Sequence, residues 1–137
     1  MRTEAAKRKI SARSRKVQKL AVKFVRATAD FFEKTPERWA KHANAYDKTG
    51  KRIGYRKRDA HCFCMHGRLR REFERGTLRE PTLRSDVWQI ITTCLYAAIS
   101  TKKHTHMSTY NDRKGRTVAQ VVDKLRQAET RIERFFD

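Results

Sequence analysis

The chain has 137 residues, with 34 Lys and Arg against 15 Asp and Glu, a formal net charge of +19. That length suits one hydrophobic core rather than two. Seven Phe, four Tyr and two Trp exclude a disordered basic tail, which would be poor in aromatics. Positive charge at this density repels itself in a compact state, so an anionic partner, most commonly nucleic acid, is the first function class to test.

Between residues 2 and 26 there are ten Lys or Arg and one acid, Glu4. Val17, Leu20, Ala21, Phe24, Val25, Thr28, Phe31 and Phe32 recur at three and four, which predicts a long amphipathic helix. Through residue 16 only Ile10 is large and apolar, while Lys7, Arg8, Lys9, Arg13, Arg15 and Lys16 carry charge. Residues 1–16 are therefore expected as a basic helical extension projecting from one compact domain over 17–137. Pro36 ends the helix, because proline disfavours helical backbone in the residue before it. Asp47-Lys48-Thr49-Gly50 marks a turn between 39–46 and 51–55 and predicts a short hairpin. A brief helix over 36–45 competes with it, since proline suits a first helical position and alanines stand at 40, 43 and 45.

Asp59 suits the cap of a second helix over 60–75, with Ala60, Phe63, Cys64 and Gly67 on one face. A third helix over 83–100 carries the buried stripe Val87, Trp88, Ile91, Cys94, Leu95 and Ala98, and as the most apolar segment it belongs at the centre. Gln89, Thr92 and Thr93 interrupt that segment, which falls short of the roughly 18 residues that would suggest a bilayer span. Residues 101–116 lack apolar periodicity and read as a loop. Thr117 and Gln120 then match a capping box opening a last helix that buries Val118, Val121, Val122, Leu125, Ala128 and Ile132. The expected fold is mainly α: a single small domain of about four helices, with a short β-hairpin between the first and second. The polar N-terminus and the odd number of cysteines, three, point to a reducing, cytoplasmic setting and no membrane partner.

Several short pieces recur in a shared order. They are Arg38-Trp39, Ala45-Tyr46-Asp47 with Gly50, Asp59-Ala60 with Phe63-Cys64 and Gly67, then Asn111-Asp112 with Arg116-Thr117, Val121-Val122, Leu125 and Ala128. In these the chain resembles an uncharacterised family of small bacterial and bacteriophage proteins, over about residues 20–130. The resemblance implies a compact, mainly helical domain and a phage or bacterial context, and transfers no catalytic residue. The chain departs from that family in its basic N-terminal extension and in Arg68, Leu69 and Arg70, where the family favours Ala and Leu. Both departures add positive charge or place it beside the shared glycine.

His61-Cys62-Phe63-Cys64-Met65-His66 offers zinc-ligand chemistry, and on a helix Cys62 and His66 would share a face. A closed site needs two more ligands, for which His104, His106 and Cys94 are the candidates; without a second Cys or His pair the expectation is a core Cys64, solvent-facing histidines, and no metal or cofactor. Cys62 beside His61 or His66 has the composition of an activated nucleophile but no identifiable orienting group. Asp47, Asp59, Glu72, Glu74 and Asp112 are the carboxylates a metal-dependent nuclease would draw on, yet their spacing is irregular and Asp59 and Asp112 suit a cap and a turn. The five glycines form no phosphate loop.

Basic clusters carry the positive case: Lys7 to Lys16, then Lys51, Arg52, Arg56, Lys57 and Arg58 with Tyr55 among them, then Arg68, Arg70, Arg71 and Arg75. Should the turn after Gly50 lie beside the second helix, the last two merge into one surface that matches a phosphate array, with Tyr46 or Tyr55 free to stack on a base. The bland alternative is a solvated basic face with no partner. Trp39, Trp88, Phe31 and Phe32 read as packing residues, and Phe135-Phe136 as either core closure or a docking surface. The expectation is a non-catalytic protein contacting the phosphates of DNA or RNA with low sequence specificity. Its competitor is a phage-encoded modulator that binds an acidic surface on a host protein complex.

Overall fold

The computed structural model describes residues 11–99 and 106–136. Ser11 opens the first helix, α1 (Ala12–Lys34), by accepting the Ser14 amide on its hydroxyl at 3.0 Å. Its apolar stripe buries Val17, Ala21, Phe24, Val25, Ala29 and Phe32 as the 3.6-residue period requires. Thr35 closes it and Pro36 begins a single 3₁₀ turn, Pro36–Arg38, the remnant of the helix the alanines suggested. Residues 1–10 of the expected extension lie outside the described residues; 12–16 simply continue α1. There Arg13 is tied to Asp86 at 3.0 Å and Glu80 at 3.7 Å.

A two-stranded antiparallel hairpin stands between the first two long helices, as expected. Its strands are β1 (Ala45–Tyr46) and β2 (Cys62–Phe63), with Ala45 opposite Phe63 and Tyr46 opposite Cys62. The turn at 47–50 forms, the Asp47 carboxylate accepting the amides of Thr49 at 2.9 Å and Lys51 at 3.0 Å. Residues 51–53 do pair back, with the Asp47 amide donating to Lys51 at 2.9 Å and the Ile53 amide to Ala45 at 3.1 Å, but as a single bridge of Arg52 with Tyr46 rather than a strand. The pairing corrects the second helix: α2 spans Met65–Arg75, and residues 60–64 precede it. Extended backbone at 62–63 drives Phe63 into the core against Phe31, with ring centroids 5.6 Å apart, which a helix starting at Ala60 would forfeit. Cys64, rather than Asp59, is the cap, its sulfur accepting the Gly67 amide at 3.2 Å. Gly67 is required here, because a Cβ would lie 2.0 Å from the Asn44 carbonyl oxygen.

Glu80 caps the third helix, α3 (Pro81–Ile99), by taking the Thr82 and Leu83 amides at 3.0 and 2.6 Å. Val87, Ile91, Cys94, Leu95 and Ala98 are buried as the stripe predicts, while Trp88 is half-buried. The stretch read as a loop contains a short helix, α4 (Met107–Asp112), which buries Met107, Tyr110 and Asn111. Six residues with one polar member on the buried side carry too little period to announce a helix. The capping box at Thr117 and Gln120 forms, with bonds of 3.2 and 3.1 Å, and opens α5 (Val118–Glu133). Val118 and Val122 are only half-buried on it, while Val121, Leu125, Ala128 and Ile132 are fully inside.

α1, α3 and α5 pack on one another as a three-helix bundle, and α2 lies along α1. Ile91, Leu95, Leu125 and Ile132 fill the bundle, each contributing about 1.5–3 kcal/mol by leaving water. Gln18 donates to the Ile132 and Glu133 carbonyls at 2.8 and 2.9 Å, satisfying acceptors at the end of α5. Among the described residues no helix is long and apolar enough to cross a membrane.

Candidate functional site

The second and third basic clusters meet. Arg71 on α2 reaches across to the loop after the turn, donating from one guanidinium nitrogen to the carbonyls of Tyr55 and Lys57, both at 2.9 Å. Arg56 pairs with Glu74 at 3.2 Å. Between loop and helix lies a cleft of about 380 Å³ lined by Arg56, Arg58, Arg71, Glu74 and Arg75. Arg58 also lines a second cleft, of about 510 Å³, with Arg38, Lys48, Asp47, Asp59 and His61. One exposed arginine therefore lines both clefts, and Lys51, Arg52 and Lys57 are exposed cations on the adjoining loop.

Not every predicted cation serves that face. Arg68 is 8% exposed, its guanidinium centred 3.8 Å over the Phe31 ring and 5.0 Å from that of Phe63, and bonded to Glu72 at 2.5 Å. Arg38 covers Phe31 as well, at 4.7 Å, and donates to the His61 carbonyl at 2.6 Å. Arg70 pairs with Glu74 at 2.8 Å and lies 4.6 Å over Trp88. Arg68 and Arg70 thus act in packing, as guanidinium-on-aromatic contacts within the fold. Burial first, then the like charges of Arg71 and Arg75, lower the Arg68 guanidinium, with Glu72 opposing. Burial and the charges of Arg75 and Arg38 likewise lower Arg71. The Nε atoms of both are buried without a hydrogen-bond partner among the described residues.

Glu74 is shared among Arg84 at 2.7 Å, Arg70 and Arg56, and hydrogen bonding to Arg84 leads these in holding its carboxyl below the ordinary glutamate range. Tyr55 is half-buried against the core; burial raises its phenol, but bonds to Arg70 and Arg56 outweigh this and lower it. Tyr46 donates its hydroxyl to the Lys41 carbonyl at 2.6 Å. Both tyrosines are half-buried, with their hydroxyls engaged by neighbouring groups of the fold. Arg15, Lys16, Lys19 and Lys23 stand exposed along α1. Lys7, Arg8 and Lys9 lie outside the described residues.

The thiol and imidazole candidates are dispersed. Cys62 is on β2, so the helical spacing that would align it with His66 does not exist. His66 faces Trp88 and approaches the Asn44 side chain at 3.4 Å, whereas His106 precedes α4 beside Tyr96. His104 lies outside the described residues. Among those described, no group of three or more His, Cys, Asp or Glu is placed to hold a metal ion. Cys64 is 3% exposed and burial pushes its thiol up, the reverse of an activated nucleophile. Of the carboxylates, Glu72 and Glu74 are paired with arginines, Asp47 is spent in its turn, and Asp112 accepts the His42 amide at 2.9 Å.

Two of the short recurring pieces, Arg38-Trp39 and Asn111-Asp112, meet at a buried amide. Asn111 accepts the Trp39 indole N–H at 2.6 Å and the Met65 amide at 3.0 Å, and donates to the Ala40 carbonyl at 2.9 Å. It fastens the loop after α1, the start of α2 and α4 to one another. Arg116 covers the Tyr110 ring at 3.6 Å and donates to the Tyr110 carbonyl. These pieces make a scaffold, while the basic clefts stand beside it. Sequence reasoning passed over Arg38 and Lys48 because neither sits in a run of like charge; the fold alone brings them to Arg58.

A family of unknown function (DUF6197) matches residues 18–131, and the chain belongs to it. No curated protein and no solved structure matches the chain.

Proposed function

We propose that this DUF6197 member is a non-catalytic nucleic-acid-binding protein of the cytoplasm, which grips phosphates through the face built by residues 48–58 and α2. The observation that carries this reading is the junction of two basic clefts at Arg58, where Arg56, Arg58, Arg71 and Arg75 surround a single carboxylate that other arginines already share. Guanidinium groups suit bidentate bonds to phosphate oxygens, and that of Arg71 is held in place by the Tyr55 and Lys57 carbonyls. Engagement of Tyr46 and Tyr55 within the fold leaves phosphate contact, rather than base stacking, as the source of affinity, which supports low sequence specificity. The test is recovery of the protein from cells at low salt. Bound DNA or RNA, seen in the ultraviolet absorbance ratio and removed by one class of nuclease, is expected; clean protein under those conditions overturns the proposal.

A second reading rests on Phe135, an exposed large hydrophobic at 45%, beside a groove of about 690 Å³ between α3 and α5 that is rimmed by Arg131 and Arg134. An acidic protein segment with an apolar anchor would fit there. A saturable protein partner that survives nuclease treatment and high salt would favour it.

A further inference from the structure

We infer that the cleft between residues 54–58 and α2 is an end-binding seat, taking the terminal phosphomonoester of a nucleic-acid strand between Arg58 and Arg75 and over Arg71. This rests on the proposed function and narrows it to one chemical group.

Glu74, the carboxylate in that cleft, is engaged by Arg56, Arg70 and Arg84. Arg58, Arg71 and Arg75 have no carboxylate within ion-pairing distance among the described residues, so three guanidiniums share one recess of about 380 Å³. Arg71 forms the floor. Its two bonds to the Tyr55 and Lys57 carbonyls hold the guanidinium in place, where Arg75 repels it and Glu72 in part compensates. A cationic recess with one guanidinium held in place favours a compact dianion, and a terminal phosphomonoester carries about −1.5 to −2 at neutral pH where an internal diester carries one charge. Beyond Arg58 the second cleft is less uniformly cationic, because Asp47 and Asp59 line it beside Arg38 and Lys48. A backbone running straight through both clefts would pass those carboxylates, whereas a strand ending at Arg58 avoids them.

The experiment uses the full chain and one internally labelled oligonucleotide in three forms: with a 5′-phosphate, with a 3′-phosphate, and with hydroxyls at both ends, each titrated by fluorescence anisotropy. One phosphorylated form is expected to bind about tenfold tighter than the hydroxyl form, the size of one charge-assisted contact set. Arg58→Gln and Arg75→Gln, both exposed positions, should each remove that preference. Lys114→Gln, also exposed, takes away one charge elsewhere and should keep it. Equal binding of all three forms overturns the seat and leaves phosphate-backbone binding standing. Failure of all three to bind at low salt overturns the seat and the proposed function together.

Discussion

Replacing Asn111 with alanine tests whether the scaffold behind the basic face hangs on one amide. Asn111 is fully buried and serves three partners on two other segments: the Trp39 indole and the Ala40 carbonyl in the loop after α1, and the Met65 amide at the start of α2. The Met65 amide is an early α2 donor with no intrahelical partner, and leaving it buried and unpaired costs about 1–3 kcal/mol. Trp39 is half-buried and recovers part of its bond from water, so it and the Ala40 carbonyl add about 1 kcal/mol each. The sum is about 3–5 kcal/mol, which at this chain length lowers the melting temperature by roughly 10–20 °C. Urea unfolding followed by circular dichroism and by tryptophan fluorescence measures it. Trp39 emission should shift even where the fold survives, because its indole loses its acceptor. A loss below about 1 kcal/mol would refute the reasoning, since it would mean that the three groups find other partners at no cost.

Gly67→Ala should destabilise by at least about 1–3 kcal/mol through overpacking against the Asn44 backbone, whereas Gly54→Ala, meeting only the flexible Lys57 side chain at 3.6 Å, should be near neutral. Calorimetry of both variants distinguishes them, and equal melting temperatures would remove the close approach of α2 to residue 44. The Glu74 carboxyl is held low in the folded state, so its contribution is complete above the ordinary glutamate value and is lost as pH falls through the lowered one. Acid unfolding of Glu74→Gln should accordingly lack part of the wild-type pH dependence; parallel profiles would contradict it. Arg68→Gln should act on stability, through Phe31, Phe63 and the unpaired Glu72, with little effect on nucleic-acid affinity in the folded fraction. Arg58→Gln should do the reverse, and unfolding and binding assays on the same preparations separate the two.

The helices of the bundle were legible because each repeats an apolar residue every three or four positions, and Thr117-Val-Ala-Gln120 announced its own capping box. The hairpin was legible in its place and its turn but not in its second strand. Two residues, Cys62 and Phe63, cannot show a period of two, and their pairing with 45–46 is a long-range contact. The start of α2 was missed for a chemical reason: a thiol performs the capping that Ser, Thr, Asp or Asn usually supplies. Asn111 read as part of a loop because its role depends on Trp39 and Met65, far away in the chain. For the site, charge runs found Arg58, Arg71 and Arg75, but a run cannot separate these from Arg68 and Arg70. That division is made by Phe31 and Glu72 against one and Trp88 and Glu74 against the other, whereas Arg71, which shares the Phe63 ring, bonds only to backbone carbonyls.

The most direct test of the phosphate-binding face is the dependence of nucleic-acid affinity on salt. For the wild-type chain the slope of log K against log salt should be about −3 or steeper, as four or more neutralised phosphates require. Arg58→Gln with Arg75→Gln together should flatten it by about one to two units, roughly one for each phosphate no longer neutralised. A slope near zero, or one that both substitutions leave unchanged, would contradict the account.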